Sequence, residues 1–563
     1  MDNENRTPEK PPENDLPRVD VQALLARYDG LKAQRDGHWI HVWREVRQYC
    51  MPTYSDYLAE GGARGQDIFD TTAIEARKRL AAGMYNWMAP PDKRWFEIVP
   101  QDDELAKDEE IKDYFAEATK IISLAMANSN WATVLIQVLN NLACGLDGIV
   151  YCEDGGLVST LNFRSFPVET VCYSENSRGR VDTVFREFEM TARQMLQEFE
   201  HDKLPENIRQ EAGDLRRQDR KYKILHAVFP RTNRDPDCRD NRNMPFADVY
   251  IELTTKRIIY ESGFEEYPFA VCRFDKSDNE SYGRGPGLDM LPTIKMLNRM
   301  QQAYIIAAEH HADPSYLVPD GSLMAKNFNR DPGAVVFYKP DLNGAKPEVL
   351  PIGGGTAKEF QDIKEVQENV KVGFFWDIFD PLGDLKQITA TEAEIRNEGK
   401  MIPFAPIAGN LHTELFRTVI HRVFGIVGRR GMLPSPPQKL VEHPDYKVEF
   451  VSKIALSIKK LESLGWLQTE ASLANIAAAK PDVMDNFDFD GIARDLALAN
   501  GSSPKWLVPA KERDKLRAER AQAQQQQQAA AELLAGAGAL GSNMGKAPEP
   551  GSPLDAVMQG QGV

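Results

Sequence analysis

The sequence predicts an α+β fold, mainly helical, with two or more subdomains. A chain of 563 residues exceeds what one hydrophobic core usually supports, and 42% hydrophobic residues are enough to fill several cores. Helical periodicity dominates as far as Gly145, and short β-branched and aromatic runs replace it from Gly148 to Tyr260. Between Tyr282 and Gly431, two helical stretches flank a Pro/Gly-rich insert, an order that predicts a helical hairpin carrying a small head.

The N-terminal part is expected to be helical after a polar tail. Residues 1–18 are Pro-rich and polar, a composition that predicts disorder. The segment also lacks the apolar run of a signal peptide. Apolar spacing predicts helices over 19–49, 73–88, 108–127 and 130–145, with a strand at 94–99 after Pro90-Pro91. Uninterrupted apolar stretches stay shorter than a membrane span requires, so no membrane association is expected.

The middle of the chain is expected to form a mostly antiparallel sheet. Its β-like runs are followed by turn residues, and Asn176-Ser-Arg-Gly179 is typical of a hairpin turn. The predicted strands lie at 149–151, 157–163, 168–173, 181–187, 224–229 and 249–253. Helices come first and the sheet after them, which is the order of an α+β fold.

The hairpin that follows has two helices of similar length. The first lies in the stretch 283–312, which opens as Gly-Arg-Gly-Pro-Gly and continues with helical spacing from Met290; at 1.5 Å per residue this helix is about 35 Å long. The insert carries strand-like pieces at 316–318, 334–338 and 348–350, and a capping box at Thr356 to Glu359 opens the second helix, which is expected to reach Asp380.

A short loop, Pro381 to Ile388, leads into a helix of about 40 residues that is expected to bend around Pro403 and Pro406. Arg429-Arg430-Gly431 is a typical helix end. Beyond it we expect a strand at 446–451, a helical region to about residue 500, a Gln-rich segment at 511–534 and an unstructured tail after Gly536.

Charge and cysteine content narrow the possible functions. The chain has 68 basic and 84 acidic residues, a net charge of −16, which argues against tight nucleic-acid binding through the overall field. Six cysteines lie without CxxC pairs or short Cys/His spacing, so we expect buried thiols rather than zinc or disulfides.

Glycine-rich, histidine and acidic motifs do not predict a catalytic site. Gly283-Arg-Gly-Pro-Gly287 lacks the GxGxxG spacing and is more typical of a tight turn feeding a helix than of a nucleotide site. Gly353-Gly-Gly-Thr356 reads as a helix cap, and His310-His311 as partners of a helix C-terminus. We therefore expect no enzyme activity, cofactor or metal; a nucleic-acid-processing enzyme subunit is the alternative interpretation.

Several stretches resemble one family, the head-to-tail connector or portal proteins of short-tailed bacteriophages. The resemblance covers roughly residues 20–470 and depends on the extent and order of its motifs rather than on a catalytic signature. The matching stretches are Trp43-Arg-Glu-Val-Arg-Gln-Tyr with Met51-Pro52, Phe69-Asp-Thr-Thr, Leu80-Ala-Ala-Gly-Met, Pro90-Pro-Asp-Lys-Arg-Trp-Phe96, Gly179-Arg-Val-Asp-Thr-Val-Phe-Arg186, Tyr282-Gly-Arg-Gly-Pro286 and Ile388-Thr-Ala-Thr-Glu392.

The resemblance implies a subunit of a portal-type ring of about twelve copies; another structural virion or scaffold protein without a channel is the alternative. It implies the following division of the chain: a wing at 19–285, stem helices at 286–312 and 356–380, a clip at 313–355, a tunnel loop at 381–390, a long kinked helix returning to the wing at 391–432, and a C-terminal wing or crown region at 433–535 between the tails 1–18 and 536–563.

The resemblance also suggests site residues. The tunnel loop and DNA channel would use Leu382, Gly383, Asp384, Leu385, Lys386 and Gln387, with Lys364 and Lys371 on the preceding helix; an ordinary connector and a solvated mixed face are the alternatives. The stem interface between subunits would use Met290, Ile294, Leu297, Phe360, Ile363 and Val370. The clip would dock the motor and tail through Tyr316, Phe328, Arg330, Phe337 and Lys339.

The implied partners are other copies of the chain, double-stranded DNA held without sequence preference, the terminase large subunit, capsid and scaffold proteins, tail adaptors and internal core proteins. The implied location is one vertex of the capsid, after assembly in the bacterial cytoplasm. An acidic wall suits such a conduit, because each phosphate contact would add affinity and therefore drag.

Overall fold

The computed structural model describes residues 19–54, 65–91, 93–102, 104–156, 159–232, 234, 240–312, 316–317, 348–349, 357–379, 402–442, 445–451, 487–499, 508 and 513–528. The chain divides after Ala455 into two units. The expected tails, the tunnel loop and most of the clip lie outside the described residues.

The N-terminal helical stretch is two helices rather than the single one predicted. Helix α1 (Val21–His38) begins at Asp20, whose carboxylate accepts hydrogen bonds from the amides of Gln22 and Ala23 at 2.9 and 3.2 Å. Helix α2 (Ile40–Cys50) follows directly. The break falls at Trp39, just after Gly37, a residue of low helix propensity, and the Trp39 ring packs against Tyr282 with centroids 5.7 Å apart.

The next elements confirm the predictions to within a few residues. They are α3 (Thr72–Met88), β1 (Phe96–Pro100), α4 (Glu109–Ala127) and α5 (Trp131–Cys144). Within the described residues no single helix is long and apolar enough to cross a bilayer; α4 and α5 meet that test only as a pair, bent by 77°.

The strands that follow are antiparallel, as predicted, but they form two sheets rather than one. A five-stranded sheet runs in the order β4 (Val171–Glu175), β5 (Val181–Thr191), β6 (Lys221–Pro230), β7 (Phe246–Glu252), β8 (Arg257–Phe264). A three-stranded sheet places β2 (Gly148–Asp154) between β3 (Leu161–Ser165) and β9 (Phe269–Cys272). The turn between β4 and β5 uses Gly179 at φ 73°, the left-handed conformation that glycine adopts without cost.

The two faces of the five-stranded sheet are covered differently. Helix α1 packs on one face through Leu24 and Tyr28, which lie in a cluster with Phe185 and Val249. The short helices α6 (Ala192–Glu198) and α7 (Glu206–Gly213) cover another part through a separate apolar cluster. These two helices, and strands β8 and β9, were not predicted from the sequence.

The hairpin has the predicted order. A short turn of helix, α8 (Pro286–Asp289), leads into α9 (Leu291–Ala312), and α10 (Ala357–Gly373) packs against α9. Between them, β10 (Tyr316–Leu317) pairs antiparallel with β11 (Glu348–Val349), where two of the predicted strands lie.

Helix α10 ends earlier than predicted. It stops at Gly373 rather than at Asp380, because Phe375 takes a left-handed conformation with φ 57° and a single 3-10 turn, Trp376–Ile378, follows. The apolar side chains Phe374 and Ile378 still face the core, so their spacing imitates a continuing helix.

The final part of the first unit returns to the core. After a 3-10 turn at Ile402–Phe404 come α11 (Ala405–Leu411), a π-helical turn (His412–Phe416) and α12 (Arg417–Arg429). The predicted stop is confirmed, since Gly431 has φ 67°. Helix α13 (Gln438–Glu442) and strand β12 (Tyr446–Phe450) follow, and β12 pairs antiparallel with β1.

The second unit contributes two described helices, α14 (Phe489–Ala499) and α15 (513–528). Arg517 on α15 donates two hydrogen bonds to the Asp490 carboxylate on α14, at 2.6 and 2.8 Å. The Gln-rich segment, for which the sequence analysis gave no secondary structure, is helical over 513–528.

Five of the six cysteines are free and buried, as predicted: Cys50, Cys144, Cys152, Cys172 and Cys272. Cys238 lies outside the described residues.

Candidate functional site

The helix pair α9–α10 is held together within one chain. Of the residues predicted to form the interface between subunits, Ile294, Leu297, Ile363 and Val370 are buried in this chain's own core. A charge at any of them would therefore disturb folding before assembly. Phe360 differs, because it is 44% exposed and contacts its own chain through the Tyr304 ring at 5.9 Å.

Met290 lies close to the end of α10. Its side chain fills the space beside Gly373, where a Cβ atom would come within 3 Å of its sulfur. The glycine therefore allows α10 to approach α9 at the lower end of the pair. Met290 is half-buried by this contact.

A buried asparagine fastens α9 to the loop before α3. The Asn298 side-chain oxygen accepts from the amides of Phe69 and Asp70 at 2.7 and 3.3 Å, and its NH₂ donates to the Asp67 carbonyl at 2.8 Å. The side chain is largely buried, so these backbone groups depend on it for their hydrogen bonds.

Asp70 fastens the second helix to the same loop. One carboxylate oxygen accepts from the Gln367 amide on α10 at 2.7 Å, and the other accepts from the backbone of Thr72 at 2.9 Å at the start of α3. The stretch Phe69-Asp-Thr-Thr is thus a clamp that both helices of the hairpin share. We call Asp67–Asp70, Asn298 and Gln367 the hairpin clamp.

The chain that leaves α10 is fixed against α3. The Arg79 guanidinium lies over the Trp376 ring at 4.1 Å and donates to the Phe379 carbonyl at 3.3 Å. The Phe379 ring fills the space beside Gly83, where any Cβ atom would clash with it. These contacts fix the point from which the predicted tunnel loop departs.

The Gly283-Arg-Gly-Pro-Gly287 stretch is a tight turn, as predicted. A Cβ atom at Gly287 would collide with the Cys144 backbone, and one at Gly285 would come within 3.0 Å of the Gly145 Cα. The Gly283 amide donates to the Asp147 carboxylate at 2.9 Å. Because the glycines serve close backbone packing and this amide is already bonded, the stretch does not act as a phosphate loop.

Asp147 is a buried acid that the sequence analysis did not single out. Its second oxygen accepts from the Tyr173 hydroxyl at 2.7 Å, so it joins the five-stranded sheet to the start of the hairpin. Burial raises the pKa of this carboxyl to about 7, against opposing hydrogen bonds from Tyr173 and Gly283. The sequence signal that could have identified this residue is its position as the single acid in the apolar run 142–152.

An ion network lies beside Asp147. The Arg273 guanidinium, itself buried, pairs with Glu175 at the end of β4 and with Glu414 in the π-helical turn. Lys276 adds a second cation to Glu175 at 2.7 Å. The network connects both sheets with the returning helix, so the base of the hairpin is one rigid structure.

The predicted channel lysines have local partners. The Lys364 ammonium lies 4.5 Å from the centre of the Phe360 ring. Lys371 pairs with Glu368 at 2.7 Å and lies 5.5 Å from the centre of the Trp376 ring. Both fit the mixed face that was the alternative interpretation, and their role in a channel stays a prediction.

Other predicted site residues lie outside the described residues: Leu382, Gly383, Asp384, Leu385, Lys386, Gln387, Phe328, Arg330, Phe337 and Lys339. Tyr316 is described as a strand residue, paired with Val349 at the base of the insert. Among the described residues, no group of three or more histidine, cysteine or acidic side chains is placed to hold a metal ion.

The chain is similar in sequence to known proteins. The family described as "Bacteriophage head to tail connecting protein" matches residues 21–508. A probable portal protein of Bordetella phage BPP-1 is 29% identical, and a portal protein of Salmonella phage epsilon15 is 26% identical, each over 92% of this chain and 94% of its own length.

A solved chain from the virion of the native gene transfer agent particle covers 78% of this chain and 89% of its own length, with 8% identity and a TM-score of 0.36. That similarity is too low to add to the assignment. The family match and the two portal proteins are sufficient: the chain belongs to the bacteriophage head-to-tail connecting protein family, the portal proteins, and is a structural protein rather than an enzyme.

Proposed function

We propose that this portal protein forms a closed ring of about twelve copies at one capsid vertex, through which double-stranded DNA enters and leaves the head. The observation that carries the proposal is the clamped hairpin: two long helices, fastened at one end by the hairpin clamp, with a paired strand at the base of the insert. A rigid helix pair fixed at one end can line the wall of a ring, with one pair from each subunit.

In this proposal the hairpin helices are the stem and residues 313–355 the clip. Exposed apolar side chains on the helix pair support a contact with a neighbouring copy: Met296, Ile306, Phe360 and Val372. A cyclic ring uses two different surfaces of each subunit, so this apolar face would meet a different face of the next copy.

The DNA would pass without being held tightly. The net charge of −16 disfavours many phosphate contacts, and a single lysine in each subunit becomes a belt of positive charge once the ring repeats it. Lys386 of the tunnel loop is the proposed belt, with Lys364 and Lys371 as weaker candidates because both already have local partners.

The proposed partners follow from the position of such a ring. The clip would contact the terminase large subunit and later the tail adaptors, and the wing and crown the capsid, scaffold and internal core proteins. The proposed location is one vertex of the virion, after assembly in the bacterial cytoplasm.

The experiment is the substitution Lys386→Glu in phage that carry the portal gene. Ring assembly should persist, while the length of packaged DNA or its retention in the head changes, because the belt reverses its charge. A matched control is Lys439→Glu, on an exposed lysine that pairs with Asp108 away from the hairpin. Unchanged packaging and retention in Lys386→Glu would remove the tunnel-loop assignment without affecting the ring.

A further inference from the structure

An open cleft of about 640 Å³ lies at one end of the five-stranded sheet, where the β4–β5 turn meets α12 and β12. Nothing in the proposed conduit uses it. Its floor is aromatic, with Phe246, Tyr267 and Phe269 in mutual ring contact at 5.1 and 6.2 Å. A cleft with this floor can hold an apolar ligand or peptide.

One hydroxyl on the floor lacks a partner. The Tyr267 Oη atom is buried and makes no hydrogen bond to any described residue. Burial, with a further contribution from Asp182, raises the pKa of Tyr267, so the hydroxyl keeps its proton and is a donor. An unsatisfied buried donor is unfavourable, and a carbonyl oxygen bound to it would remove that penalty.

The walls of the cleft carry two exposed arginines on opposite elements. Arg180 follows the β4–β5 turn and Arg417 begins α12. Neither forms a salt bridge within the part of the chain that the structure describes. Of the acids in the cleft, Glu414 pairs with Arg273, and Asp182 accepts from the Thr183 hydroxyl at 2.9 Å.

The chain's own N-terminal segment has matching chemistry. Residues 7–13 read Thr-Pro-Glu-Lys-Pro-Pro-Glu, with three prolines and two acids. Pro-rich segments favour the polyproline II conformation, which leaves backbone carbonyls unbonded and binds aromatic-lined grooves in which side-chain donors reach those carbonyls. The acids would meet the two arginines.

The N-terminal segment also joins the described chain close to the cleft. Helix α1 lies along β4 with its N-terminus toward the turn, because Arg35 bonds to the Val171 carbonyl and Arg27 to Ser174 and Thr183 further along. The first described residue, Val19, is thus at the end of the sheet that holds the cleft. Seven residues of polyproline II span about 20 Å, enough to pass around the end of a sheet.

We propose that residues 8–13 bind in this cleft of the same chain. Pro11 and Pro12 lie on the aromatic floor, the Tyr267 hydroxyl donates to a peptide carbonyl, and Glu9 and Glu13 pair with Arg180 and Arg417. The segment thereby fastens the N-terminus across the junction of the sheet, α12 and β12. The inference is independent of ring closure and of DNA passage.

Limited trypsin digestion of the full-length protein tests the proposal, with release of residues 1–6 after Arg6 followed by mass spectrometry. Cleavage should be at least about tenfold slower than in a synthetic peptide of residues 1–18, because bound segments must open before cleavage. In Arg180→Glu/Arg417→Glu the rate should rise to that of the peptide. Arg178→Glu, on the same turn but outside the cleft lining, should stay protected.

A second measurement identifies which chain donates the segment. A short bismaleimide should link Pro12→Cys to Thr418→Cys, a cleft residue, within one chain. Links between chains would assign the cleft to a neighbour's segment and overturn the proposal. So would cleavage in the wild-type protein as fast as in the free peptide, or protection that survives both arginine reversals.

Discussion

At the scale of single residues, the carboxylate of Asp147 connects the five-stranded sheet to the start of the hairpin. One carboxylate binds the Tyr173 hydroxyl from the sheet and the Gly283 amide at the start of the hairpin. A carboxyl so fully buried holds its proton more tightly when the protein is folded, because burial penalises the ionised form. Its protonation therefore couples stability to pH.

The sign of that coupling follows from the raised pKa. The folded protein binds the Asp147 proton up to about pH 7, whereas the unfolded chain releases it near its ordinary pKa of 3.8. This group's contribution to stability is thus complete below pH 3.8 and is lost progressively as the pH rises to about 7. Asp147→Asn, which has no proton to lose, should lose less stability across that interval than the wild type.

Urea unfolding followed at several pH values measures the effect. Tyr173→Phe is the opposing variant: it removes a hydrogen bond that lowers the pKa of Asp147, so the loss should extend to higher pH. Equal pH slopes for wild type and Asp147→Asn would show that Asp147 is not the coupled group.

At the scale of elements, the hairpin clamp decides where the helix pair points. Asn298 supplies the hydrogen bonds of two backbone amides and one carbonyl in the Asp67–Asp70 loop, and Asp70 supplies one to Gln367. Both helices are therefore fixed to one loop at one end, while their other ends project toward the insert.

Asn298→Ala should destabilise the protein by about 1–3 kcal/mol, because the half-buried amides of Phe69 and Asp70 lose their acceptor. Denaturant unfolding measures the loss. Asn369→Ala, at an exposed position of α10, is the matched control and should stay within about 0.5 kcal/mol of wild type. A loss at Asn298 no larger than at Asn369 would show that the clamp contributes nothing.

The helices and their contacts also show which structural features can be predicted from the sequence. Helices with a clear apolar stripe, such as α3 and α5, were predicted closely, because their periodicity is local. The predicted end of α10 was wrong, because Phe374 and Ile378 keep a helical spacing although Phe375, in a left-handed conformation, ends the helix. The clamp was invisible, because Asn298 and Phe69 lie far apart in the chain and nothing local marks a polar side chain as a tertiary contact.

Among the candidate site residues, too, local sequence patterns could be predicted but tertiary contacts could not. The sequence motif at Phe69-Asp-Thr-Thr was noticed through resemblance, and the structure adds its physical role as the shared anchor of two helices. Burial separates Ile363 from Phe360, a distinction that apolar spacing alone does not make, because both residues are hydrophobic and lie on the same helix.

At the scale of the whole molecule, that distinction predicts two different outcomes. Phe360→Glu should leave a folded subunit that fails to close into rings, since its ring is exposed and available to a neighbour. Ile363→Glu should reduce folded yield itself, because it buries a charge in the chain's own core.

Native mass spectrometry with circular dichroism separates the cases. Gln361→Glu adds the same charge one residue away at an exposed position and should assemble normally. Intact rings in Phe360→Glu would move the subunit interface away from this face of the stem.

In the first unit, the main hydrophobic core lies around the base of the helix pair, in a chain with a net charge of −16. The proposed function requires such a subunit to work as one part of a closed ring. The most direct test is imaging of the purified full-length protein by electron microscopy, with the rotational symmetry counted in top views. We expect closed rings of about twelve subunits around a hole wide enough for duplex DNA. Particles that remain single subunits, or assemblies with no central opening, would contradict it.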